Sequence, residues 1–171
     1  MRKKVLIIDT SILTVWLQVP GFETAGPNNQ WNHAKIVDKL KSEEKAGTCF
    51  VLPIATIIET GNHIAHIKQG DVYALVNRFA DLLELVAQNQ TPWTLFTTQA
   101  ELWTPEHLME LANQWRQTGA MKLSLGDASI VKVAHYYQLM QYNVEIFTGD
   151  AQLKSYENIS YGAMIIPRRR R

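Results

Sequence analysis

Short, unbroken apolar runs alternate along the chain with longer stretches whose apolar residues recur every three or four positions. Val5-Leu6-Ile7-Ile8, ended by Asp9, has the pattern of a strand buried on both faces, as in a parallel sheet. Thr10 to Leu17 then predicts a short helix, and Pro20-Gly21 with Gly26-Pro27-Asn28-Asn29 predicts a loop over 20–30. Trp31 to Lys45 is amphipathic, with Ile36, Val37 and Leu40 on one face and Gly47 as the stop. Thr48 to Leu52 predicts a second buried strand. Ile54 to Lys68 predicts a helix closed by Gly70, and Asp71 opens another through about Ala87. Thr94 to Thr97 is a shorter strand candidate. Pro105 marks the first position of a helix that runs to about Gln117. Asp127 to Gln141 is helical, Val144 to Thr148 is a fourth strand, and Ala163 to Ile166, ended by Pro167, is a fifth.

This alternation predicts an α/β domain with a mainly parallel sheet, in one unit over 1–167, followed by a basic tail over 168–171. The length of 171 residues suits one domain with a sizeable core. No apolar run approaches the 20 or so residues that a membrane span needs, and the amino-terminal stretch lacks the features of a secretory signal. The expectation is a cytoplasmic protein. The single cysteine, Cys49, excludes an internal disulfide and any multi-cysteine zinc site. The net charge of +1 hides an asymmetry. Seven of the 17 basic residues are Arg2, Lys3, Lys4 and Arg168 to Arg171, so the body carries 10 bases against 16 acids. Basic ends suit a partner of dense negative charge, or they are simply solvated.

Parallel sheets place their ligands beyond the carboxyl ends of the strands. Asp9 directly follows the first strand, and Asp150 closely follows the fourth in Phe147-Thr148-Gly149-Asp150. Glu59 and Asp127 are expected in the first turns of two helices. Each acid has a plain structural use. Thr56-x-x-Glu59 and Ser124-x-x-Asp127 match capping boxes, Asp9 can cap the helix that begins at Thr10, and Asp150 suits a turn. Together they suggest one acidic cleft. Converging carboxylates repel one another unless a cation lies between them, and with no cysteine or histidine cluster the fitting ion is Mg²⁺ or Mn²⁺. Such an ion activates water toward phosphorus, so the chemistry implied is phosphodiester hydrolysis. Ser11 and Thr148 add hydroxyls beside the acids.

Four segments, Ile7-Ile8-Asp9-Thr10-Ser11, Ala55-Thr56-Ile57-Ile58-Glu59, Gly126-Asp127-Ala128-Ser129-Ile130 and Phe147-Thr148-Gly149-Asp150-Ala151-Gln152-Leu153, carry a resemblance to PIN-domain ribonucleases. These include the VapC-type toxins of toxin–antitoxin pairs. The resemblance implies a three-layer α/β/α fold with a central five-stranded, mainly parallel sheet. It implies Mg²⁺ or Mn²⁺ held by Asp9, Glu59, Asp127 and Asp150 as the catalytic and metal-binding acids, with Ser11 and Thr148 in support. It further implies an RNA substrate, a homodimer and a small antitoxin partner. The loop over 20–30 and the bulky segment over 71–120 depart from the compact members of the family.

Other features weigh less. His63 shares a helix face with Glu59, but no His-Glu-x-x-His occurs, so His63 and His66 are structural or line a groove. Cys49 suits a small core position. Of five tryptophans, Trp16 is the best candidate for a dimer contact or groove wall, and Lys132 for a phosphate contact or an ordinary solvated lysine. No phosphate-binding glycine loop is present. Two other functions are a PIN-like scaffold without turnover and a receiver-like phosphoacceptor. The latter normally carries an acidic pair after its first strand, where this chain has Asp9-Thr10-Ser11.

Overall fold

The structure is a computed structural model that describes residues 3–94, 100, 102–119 and 123–158. Its centre is a parallel sheet of three strands in the order β4-β1-β5, formed by β1 (Lys4–Ile8), β4 (Cys49–Val51) and β5 (Asn143–Phe147). Val5 pairs with Cys49 on one side and with Val144 on the other. The remaining strands, β2 (Thr24–Ala25) and β3 (Trp31–Asn32), form a small antiparallel hairpin. The helices are α1 (Thr10–Trp16), α2 (His33–Lys45), α3 (Ile54–Ala65), α4 (Val72–Ala87), α5 (Pro105–Thr118), α6 (Leu125–Leu139) and α7 (Ala151–Ser155).

The unbroken apolar run in β1 reflects helices on both faces of the sheet. Val5 to Ile8 are 1% exposed or less. Leu6 and Ile8 enter a core built with Ile12 and Leu13 of α1, Ile36 of α2, Ile64 of α3 and Phe79 of α4. Val5 and Ile7 enter a second core with Ile130, Val133 and Ala134 of α6 and Leu153 of α7. Each fully buried side chain of this kind contributes about 1.5–3 kcal/mol by leaving water. Among the described residues, no helix is long and apolar enough to cross a membrane.

Several expectations need correction. The segment expected as a loop over 20–30 contains strand β2 and a 3-10 turn at Pro27–Asn29, in which Asn28 and Asn29 adopt positive φ of 54°. The helix expected from Trp31 begins at His33, because Trp31-Asn32 pairs with β2 and Asn32 caps α2 through the Lys35 amide. Only three strands of the expected five-stranded sheet lie among the described residues. Trp93 makes an isolated parallel bridge to Phe50, while residues 95–97 of the third strand candidate lie outside the described residues. So do the fifth strand over 163–166 and the basic tail over 168–171.

Candidate active site

The topology brings four chain segments to the carboxyl end of the sheet. β1 ends into Asp9 and β5 into Thr148, and the two are joined by the Asp9 amide on the Phe147 carbonyl at 3.0 Å. Asp9 caps α1 and is only 5% exposed. Its Oδ2 accepts from the Ser11 hydroxyl at 2.7 Å, the Thr148 hydroxyl at 2.8 Å and the Ser11 amide at 3.3 Å. Both hydroxyls also accept: Ser11 Oγ from the Gly149 amide at 2.9 Å and Thr148 Oγ1 from the Asp150 amide at 2.9 Å. Two parallel hydroxyl links therefore tie Asp9 to the segment that carries Asp150. Asp150 caps α7 through Oδ1, which accepts from the Gln152 and Leu153 amides.

Glu59 departs from its expected place. α3 starts at Ile54, behind Pro53, so Glu59 sits in the second turn and caps nothing. Proline cannot donate in a helix, and its fixed φ suits the position just before the first turn. Thr56 instead donates to the Ile8 carbonyl at 3.0 Å, which ties α3 to the end of β1. Glu59 Oε2 accepts from Thr10 at 2.8 Å. The expected capping box at Ser124 and Asp127 is formed, with Ser124 Oγ donating to Asp127 Oδ2 at 2.7 Å and accepting from its amide at 3.0 Å.

All four acids line one groove of about 500 Å³ with Thr10, Ser11, Thr14, Phe22, Ala25 and Ser124. No lysine or arginine lines it, and none of the four carboxylates forms an ion pair among the described residues. Burial pushes the Asp127 carboxyl above the usual range, and the charges on Asp9 and Asp150 push it further, against the pull of Ser124. Gly126 allows the close approach of Glu59: a β-carbon there would collide with Oε1. Gly149 likewise leaves room for the hairpin, since its β-carbon would meet the Gly26 nitrogen at 2.6 Å.

Among the described residues, no three His, Cys, Asp or Glu side chains converge tightly enough to ligate one ion directly. The donor set still suits a hard cation that retains its waters. Asp9 Oδ1, Glu59 Oε1, Asp127 Oδ1 and Asp150 Oδ2 accept no hydrogen bond among the described residues. Magnesium commonly takes one or two carboxylates and keeps several waters.

Other expected positions fare differently. Trp16 lies away from the acids, at a ring distance of 6.3 Å from Trp93, and lines a separate cavity with Leu82 and Pro92. Lys132 is neither solvated nor at the groove. It is 6% exposed and pairs with Glu110 at 2.9 Å. Lys4 is no free tail cation, because it pairs with Glu43 and Glu145. Cys49 is half-buried beside the second core. His63 does line the groove, with its ring 4.5 Å from Phe22. Phe22, Ala25 and Gly26 were not anticipated at the site. Their signal is a Gly-Pro-Asn-Asn turn between two short extended pairs, the pattern of a hairpin. No family model matches the chain, and the comparisons with curated proteins and solved structures find no similar protein.

Proposed function

We propose that the protein is a divalent-cation-dependent endoribonuclease of PIN-like fold that hydrolyses RNA phosphodiester bonds at the acidic groove. One observation carries this reading. Four carboxylates from four separate segments surround one groove, and among the described residues each has an oxygen free of hydrogen bonds and none has a cationic partner. Like charges gathered at a strand end raise the free energy of the fold unless an ion offsets them. Asp9, Asp127 and Asp150 would hold Mg²⁺ or Mn²⁺ largely through coordinated waters, with at most two carboxylates in direct contact, and Glu59 would be a further ligand or the holder of a coordinated water. The ion would supply an activated water and charge stabilisation on the phosphoryl oxygens.

The chain's own residues supply positioning. Ser11 and Thr148 fix Oδ2 of Asp9 and leave Oδ1 without a hydrogen bond among the described residues. Thr10 fixes Oε2 of Glu59, which leaves Oε1 to orient water or take a proton. The hairpin and α3 wall the groove on either side. The full five-stranded sheet belongs to the same proposal: Phe50 and Trp93 already bridge on the outer side of β4, where a further strand would add. The receiver-like reading gains nothing from the lysine that follows β5. Lys154 is engaged by Glu157 at 2.6 Å and by the Ile146 carbonyl at 2.9 Å. On the sequence resemblance, the enzyme acts in the cytoplasm as the toxin of a toxin–antitoxin pair, as a homodimer.

The test is cleavage of single-stranded RNA with Mn²⁺, with EDTA, and by Asp9→Asn. Cleavage that needs the ion and fails in the variant is expected. Full activity in EDTA or in Asp9→Asn removes the proposal.

A further inference from the structure

A second cavity of about 350 Å³ adjoins the acidic groove. It is lined by the turn at Pro20, Gly21 and Phe22 and by the end of α3 and its continuation, including His66, Ile67 and Lys68. Phe22 and His63 line both cavities, so their ring pair forms the ridge between them. His63 follows Glu59 by one helical turn, about 6 Å along α3. The two cavities differ in charge. The groove holds four carboxylates, whereas among the described residues no acid lines the second cavity. Glu23, the acid beside this turn, folds back to accept the Gly21 amide at 3.0 Å.

The second cavity combines two chemistries. Pro20, Phe22 and Ile67 offer partly exposed apolar surface anchored on the core, with Phe22 and Ile67 packed against it. Gly70, at a φ of +99°, lies close against Pro20 and closes the connection to α4 behind it. Lys68 is exposed and has no ion-pair or hydrogen-bond partner among the described residues. His66 donates Nδ1–H to the Asn62 carbonyl at 2.7 Å, which leaves Nε2 for a ligand. A planar apolar ring joined to an anion fits this combination. Aromatic side chains stack on any base face, and lysine holds phosphate as a point charge.

We infer that this cavity is the subsite for the nucleotide next to the scissile phosphate, with its base against Phe22, Pro20 and Ile67 and its phosphate at Lys68 and His66. The inference rests on the nuclease reading for its choice of strand. A strand crossing the ridge passes from the groove, where its charge needs an ion, to a surface that attracts it directly. The subsite favours an unpaired strand, because a base held within a duplex cannot stack on Phe22.

The test measures binding of a fluorescein-labelled single-stranded RNA hexamer by polarisation in EDTA at low salt, and cleavage of the same hexamer with Mn²⁺. Phe22→Ala is expected to weaken binding about tenfold, and Phe22→Trp to restore it. Lys68→Ala is expected to weaken binding about threefold and to lower the salt slope by about one. In cleavage the loss falls mainly on KM. Binding unchanged within about twofold in both alanine variants overturns the subsite. If the wild type still cuts RNA in that case, the nuclease reading stands. If binding depends on Phe22 and Lys68 but no metal supports cleavage, the cavity stands as a nucleotide-binding site, and the nuclease reading falls together with the placement beside a scissile phosphate. Failure of the wild type to bind the hexamer overturns the subsite as well.

Discussion

Two clusters of carboxylates sit on the same sheet and are treated in opposite ways. Beside the middle of β5, Glu43, Glu145 and Glu157 meet Lys4, Lys39 and Lys154 within 2.5 to 3.7 Å. At the carboxyl end, Asp9, Glu59, Asp127 and Asp150 meet no cation among the described residues. The consequences for proton affinity are opposed. Burial pushes the Glu43 carboxyl up, but Lys4, Thr48 and Lys39 outweigh it and hold the group at about 2. Burial pushes Asp127 up, and there Asp9 and Asp150 add to the push. Glu145 follows Glu43, drawn below its usual range by Lys4 and Lys39 against the effect of burial. The first cluster carries its counter-charges in the chain and serves stability. The second has no counter-charge among the described residues, and the proposed function assigns that role to a bound cation.

The comparison can be broken most sharply at Asp9. Asp9→Asn should lower Mn²⁺-dependent RNA cleavage by about 100-fold or more, in line with the loss of a group central to charge stabilisation. An RNA cleavage assay on a folded variant, checked by circular dichroism, decides it.

The next effect is on stability. Glu43→Gln should cost about 1–2 kcal/mol at neutral pH, after allowance for solvent screening of a partly exposed network. The sign follows from its lowered value. The stabilisation is complete above the ordinary value of 4.5 and disappears as pH falls toward about 2. Urea unfolding of wild type and variant should therefore differ at pH 7 and converge in strong acid. A constant gap across that range would show that Glu43 acts through packing rather than charge.

A smaller effect separates site from scaffold. Gly126→Ala adds a β-carbon where Glu59 Oε1 now lies, and a flexible carboxylate can move aside. Cleavage should fall about tenfold, while stability stays within about 1 kcal/mol, because alanine is the better helix former. A melting curve beside the cleavage assay checks both halves.

The smallest expected effect has the opposite sign to that at Glu43. Asp127→Asn should stabilise the fold in EDTA by less than about 1 kcal/mol, read as a small rise in Tm, because it removes one of several repelling charges. Consistently, the penalty at Asp127 is present at neutral pH and is relieved as pH falls through its raised value.

The periodic elements could be read from the chain because burial dictates them. The run Val5 to Ile8 is buried on both faces as its pattern implies, and Pro105 and Ser124 mark helix starts where they were expected. Asp9, Asp127 and Asp150 each cap a helix and also line the groove, so the structural use expected of them is met and leaves them together at one place, where their proposed chemistry is a matter for experiment. Glu59 could not be placed by its local pattern. Thr56-x-x-Glu59 has the spacing of a capping box, but Pro53 starts the helix earlier and the Ile8 carbonyl takes the threonine hydroxyl. That competition is decided by a contact 48 residues away. Lys132 and Lys4 were misplaced for the same reason, since their partners Glu110, Glu43 and Glu145 lie on other elements. Phe22 and the hairpin reach the groove through tertiary packing of Gly26 on Gly149, which no short motif encodes.

The central claim is that the groove completes its charge balance with a divalent cation. Calorimetric titration of Mn²⁺ into the wild-type protein and into the double variant Asp9→Asn/Asp127→Asn tests it directly. Saturable binding to the wild type that disappears in the double variant is predicted. Equal binding by both proteins, or none by the wild type, contradicts it.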